Sequence, residues 1–190
     1  MSIKTTIIRV GLSAAFVVGM AVSAPSAVAA DGGPALGQEA LKTVSVAGVE
    51  VAEKAPAETK KTIAADPVTA AAAANACGTG YTISVYAERL PDARRFATLY
   101  VWTNGKTTGS SFYDKPVCAV LYNETGATQS MGIRLRSNYT SDAPTEDFGS
   151  YASYAGPVYQ NRGYCGTVYS YMKMGGQVVI DTTRGVGACN

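Results

Sequence analysis

Carboxylates are the main side chains in this chain that could do chemistry. Asp142, Glu146 and Asp147 cluster within residues 141–147, with Glu88 and Asp181 elsewhere. A glycosidase needs two carboxyl groups on either side of a sugar linkage, so Glu146 or Asp147 is the expected seat of any hydrolysis of cell-wall glycan. None of the 190 residues is histidine, which excludes Ser-His-Asp and Cys-His catalysis and zinc held by imidazole. Ser-Lys catalysis is not expected from Lys106, Lys115 or Lys173. The acidic segment lacks the D-x-D-x-D-G spacing of a calcium loop, so neither cofactor nor metal is expected and no catalytic residue is assigned.

Tyrosine is the most unusual feature. Tyr151, Tyr154, Tyr159, Tyr164, Tyr169 and Tyr171 crowd into residues 151–171. An apolar ring with a polar hydroxyl suits glycan and protein surfaces, although aromatic residues also fill β cores. Tyr151 and Tyr154 follow the polar loop and are the expected surface-binding pair. The spot made by Arg89, Arg94 and Arg95 is small, and the net charge of +2 is too mild for nucleic acid.

The elements that must position these residues fall in three parts. Residues 1–30 read as a secretory signal peptide. Lys4 and Arg9 precede an apolar run from Val10 to Val22, and small residues up to Ala30 offer cleavage sites. The rival, a retained anchor, is disfavoured because the run is shorter than the ~20 residues that span a bilayer. Residues 31–76 hold fourteen Ala and no aromatic residue or Cys. With so little apolar surface to offset ordering entropy, they are expected to be a flexible tether or a pro-segment removed after export. Residues 77–190 carry all four Cys, all 12 Tyr and Trp102, and form the folded domain.

Within that domain, runs at 81–86, 96–103, 117–122, 131–136, 151–159, 165–172 and 177–181 are rich in β-branched and aromatic residues and bounded by turn signals. They predict an all-β domain of about seven strands, an antiparallel sandwich or small barrel. Residues 96–103 are apolar on both faces, as in a central strand or one with an aromatic binding face. Four Cys in an exported domain are expected to form two disulfides, for which three pairings exist. In an up-and-down meander, Cys77 and Cys118 fall at one end, and so do Cys165 and Cys189, which favours Cys77–Cys118 and Cys165–Cys189.

Three stretches carry a family resemblance: Cys77-Gly78-Thr79-Gly80-Tyr81, Asn104-Gly105-Lys106 ahead of Cys118, and Phe148-Gly149-Ser150-Tyr151-Ala152-Ser153-Tyr154-Ala155-Gly156-Pro157-Val158-Tyr159 ahead of Cys165. On these, the domain resembles the spore-associated protein A family, small exported proteins of filamentous actinobacteria found on the spore surface. The resemblance implies a secreted, non-catalytic surface protein and brings no catalytic residues. The expected function is adsorption to a cell-wall or spore-surface glycan or protein through tyrosine-rich faces, with no membrane contact after signal cleavage. A glycan hydrolase and a secreted hydrolase inhibitor are the alternatives.

Overall fold

The computed structural model describes residues 40–189 of the protein, so the expected signal peptide lies outside the described residues. Ten strands and two helices follow in chain order. They are β1 (Thr43–Val46), β2 (Val49–Ala52), α1 (Ala57–Ala65), α2 (Pro67–Cys77), β3 (Ile83–Leu90), β4 (Ala97–Thr103), β5 (Val117–Asn123), β6 (Gln129–Arg136), β7 (Thr145–Tyr151), β8 (Tyr154–Gln160), β9 (Thr167–Met174) and β10 (Gln177–Gly185). Two sheets result, ordered β1-β2-β3-β4-β5-β8 and β10-β9-β6-β7. All ladders are antiparallel except β2 against β3.

The all-β fold with two disulfides expected from the sequence is present, with more strands than its pattern shows. Residues 151–159 are not one strand. β7 ends at Tyr151, Ala152 and Ser153 turn the chain, and β8 starts at Tyr154 in the other sheet. β7 reads as a solvated acidic loop because none of its residues is fully buried.

The core lies between the sheets. Leu99, Val101, Ala119 and Leu121 of one sheet and Met131, Ile133, Leu135, Val168 and Met172 of the other are buried. Each large side chain so buried contributes about 1.5–3 kcal/mol. All seven residues of β4 are buried, so its aromatic side is not an exposed binding surface.

Residues 43–77 depart from the expected flexible tether: residues 43–52 supply two strands of the six-stranded sheet and residues 57–77 pack on it as helices. α2 buries Ala70, Ala73 and Cys77, spaced three and four residues apart along one helix face. Trp102 lies directly opposite Cys118, which is bonded to Cys77 on α2, so Trp102 and, two residues away on the same side, Tyr100 face the helical layer. Alanine lets the helix backbone approach closely, and these rings supply the apolar mass the segment itself lacks. Asp66 accepts the Thr69 N–H at 3.0 Å and Pro67 occupies the first turn, a favourable helix start. α1 runs beside β3, where Thr59 Oγ1 accepts the Ala87 N–H at 3.0 Å, and so covers a strand edge that would otherwise stand open.

Both predicted disulfides are present, Cys77–Cys118 and Cys165–Cys189. The second follows from hairpin geometry, since β9 and β10 are antiparallel neighbours. The first follows from the antiparallel run β3-β4-β5, which puts the starts of β3 and β5 at one end of the sheet although the chain crosses to the other sheet after β5. Cys77 also ends α2 and so pins that helix to β5. Sequence separations of 41 and 24 correspond to about 4 and 3.5 kcal/mol in the chain-entropy account.

Candidate binding face

Side chains alternate across a strand, and the four-stranded sheet uses this to present one face to the core and one to solvent. On β6, Met131, Ile133 and Leu135 are buried inward, so Gly132, Arg134 and Arg136 point outward. Two cross-strand rows then form on the outer side. One runs Phe148, Gly132, Tyr171, Asp181; the next runs Glu146, Arg134, Tyr169, Thr183. Neither helix covers this face, because both pack on strands of the six-stranded sheet.

Phe148 is 42% exposed and its ring lies over Gly132, where any Cβ would sit 2.0 Å from it. Glycine here is a requirement of close approach, the aromatic ring covering a strand position that has no side chain. The Phe148 and Tyr169 rings are 6.3 Å apart and 31° from parallel. Arg134 sits 5.5 Å from the Phe148 centroid and 5.9 Å from that of Tyr169, and forms an ion pair with Glu146. Partial burial, and then the Asp181 carboxylate beside it, raise the Tyr169 hydroxyl above its ordinary pKa. Arg136 and Lys173 are exposed on the same side. The result is an aromatic platform rimmed by charges of both signs.

Tyr151 and Tyr154 are placed differently from the expectation that they form an exposed pair. Both are half-buried and pack against the core. The Tyr151 hydroxyl donates to Asp147, whose other oxygen accepts the Gly156 N–H at 2.7 Å. Tyr154 stacks on Tyr122 at 5.2 Å, and Tyr122 meets Tyr100 edge-on at 5.9 Å. Both tyrosines therefore organise the corner where the chain changes sheets. Phe148 was missed as a platform residue, although its alternation with Glu146 and Ser150 on a recognised strand would have revealed it.

The acidic pair is divided too. Glu146 and Asp147 are consecutive on β7 and face opposite sides, Glu146 toward Arg134 and Asp147 toward the corner. They do not flank a common substrate position. Glu88 is held by Arg184. Ser170-Tyr171-Met172-Lys173 has Ser-Lys spacing, but on β9 it places Ser170 in the core and Lys173 in solvent. Among the described residues no cluster of His, Cys, Asp and Glu is placed to hold a metal.

At one end of the sandwich the loops carry a second polar cluster. Buried Asp114 accepts the Tyr139 hydroxyl at 2.6 Å and the Ser111 N–H at 3.0 Å, and these bonds hold its carboxyl below the usual range. Arg162 lies 3.9 Å from the Tyr139 centroid and pairs with Asp142. Lys115 is fully buried; it donates to the Phe112 carbonyl and sits 3.6 Å over the Phe112 ring. Burial lowers its amine pKa, while Asp114 opposes the shift. A nucleophile must be reached by substrate, and this amine is enclosed. Beside it lies a cavity of about 350 Å³ lined by Leu41, Glu53, Lys54, Phe112, Tyr113 and Tyr164, among others.

No helix among the described residues is long and apolar enough to cross a membrane, and two disulfides accord with an oxidising compartment. Comparisons of the chain with protein-family models, with curated proteins and with solved structures find no match.

Proposed function

We propose that this is an exported, non-catalytic component of a cell or spore surface that adsorbs to a glycan layer through the outer face of its four-stranded sheet. The observation that carries this reading is the uncovered platform of Phe148, Tyr169 and Tyr171 beside Arg134. Aromatic rings stack on the apolar faces of sugars, while flanking charged groups and hydroxyls satisfy the sugar's polar edges. On the six-stranded sheet Tyr100 and Trp102 are buried under the helical layer, and the exposed Tyr159 is engaged by the Tyr81 ring and the Cys77 carbonyl. Spore association follows the family resemblance of residues 77–190.

The test is retention of the purified mature protein on insoluble actinobacterial wall material. Phe148→Ala with Tyr169→Ala is expected to reduce retention at least tenfold, while Tyr151→Ala with Tyr154→Ala acts through stability alone. Undiminished retention in the Phe148/Tyr169 variant overturns the reading.

A further inference from the structure

We infer that the open face takes an acidic glycan, and that Arg136 is the side chain that reads its carboxylate. This rests on the binding-face reading above and adds the ligand class. A cleft of about 190 Å³ opens on that face, lined by Arg134, Arg136, Thr167, Tyr169 and Thr183. At ~30 Å³ per water it holds about six water molecules, room for one sugar unit or its substituent. Its lining contains two guanidinium groups and no carboxylate.

The two arginines are in different states. Arg134 is engaged by Glu146 and lies against the Phe148 and Tyr169 rings. Arg136 is exposed, directly opposite Thr167 on β9, and makes no ion pair, side-chain hydrogen bond or ring contact among the described residues. Among the described residues the Thr167 and Thr183 hydroxyls beside it are likewise without a protein partner. A planar fork with both arms free fits a carboxylate bidentately, and the hydroxyls suit the neighbouring sugar oxygens. Tyr169 forms one wall of the cleft and belongs to the platform, so a chain whose acidic unit sits at Arg136 lays its next ring over Tyr169 and Phe148. The uncompensated positive charge at this end complements an acidic polymer.

The experiment compares the full mature protein on immobilised polygalacturonate, on the same polymer methyl-esterified, and on dextran. Wild type is expected to bind the free acid at least fivefold more tightly than the ester. Arg136→Gln is expected to remove that difference, Arg136→Lys to restore part of it, and Lys61→Gln, exposed on α1 and off this face, to change it less than twofold. Both arginine substitutions are at an exposed position, and unchanged melting temperatures verify the fold. Equal binding of acid and ester by wild type, or an equal effect of Lys61→Gln and Arg136→Gln, overturns the carboxylate site while leaving the binding face standing. Failure to bind any of the three polymers or wall material overturns both.

Discussion

Arg184 on β10 grips Glu88 on β3 with two hydrogen bonds, Nε to Oε2 at 2.7 Å and Nη2 to Oε1 at 2.9 Å, across 96 residues of chain. The Tyr86 hydroxyl donates to the same carboxylate at 2.8 Å. β3 and β10 belong to different sheets, so this fork ties the sheets together on one side. On the other side the β7–β8 turn performs that task covalently. A double-mutant cycle with Glu88→Gln and Arg184→Met is expected to give a coupling of about 1 kcal/mol, at the upper end for a partly exposed pair. Denaturant midpoints measure it, and strict additivity would show that the fork contributes nothing.

Acid should loosen the loop end of the sandwich. The Asp114 carboxyl is held below its ordinary value by hydrogen bonds from Tyr139 and Ser111. A carboxyl with a depressed folded pKa contributes stability that is present above the unfolded value of ~3.9 and is lost as pH falls through the folded value. Asp114→Asn should therefore lower stability at pH 7 by about 1–2 kcal/mol and flatten the decline below pH ~4. Urea melts from pH 7 to pH 2 show both effects, and a parallel decline in variant and wild type contradicts the assignment.

Gly132→Ala tests the platform without touching an aromatic residue. Its Cβ would stand 2.0 Å from the Phe148 ring, so the ring must move. Retention on wall material should fall toward that of Phe148→Ala, while melting shifts only slightly because Phe148 is largely outside the core. Unaltered retention would mean that the ring's position is irrelevant to binding.

Trp102 is the single tryptophan of the chain, and it is 1% exposed beneath the helical layer. A chain beginning at residue 77 uncovers it. Its fluorescence should shift to the red and the truncated domain should lose several kcal/mol, given about 1.5–3 kcal/mol for each large buried side chain re-exposed. Identical emission from the full and shortened chains would restore the tether reading.

Replacing both Cys77 and Cys118 with Ser should cost about 4 kcal/mol and free α2 from β5, whereas the Cys165/Cys189 pair affects mainly the β9–β10 end. Protease cleavage within residues 57–77 should rise only in the first variant.

The strand pattern, the absence of histidine and the four cysteines made the β character, the excluded catalytic classes and the oxidised framework legible from composition and period alone. Local alternation along residues 131–136 likewise suffices to mark Met131, Ile133 and Leu135 as the inward side of β6. Other features depended on partners distant in sequence. Residues 43–76 of the Ala-rich segment fold because Tyr100 and Trp102, some thirty residues after α2 begins, supply their apolar mass, and the first hairpin turns through Ala47 and Gly48, both at positive φ, of which only the glycine signals a turn. Tyr151 and Tyr154 look like a surface pair until the corner between sheets draws one onto Asp147 and the other onto Tyr122. The platform of Phe148, Tyr169 and Tyr171 exists only because strands from separate parts of the chain meet in register on the side that neither α1 nor α2 covers. Local sequence determines which way a side chain points along its own strand. Which side of a sheet stays open is decided by long-range packing, and that is where the face proposed to bind glycan was set.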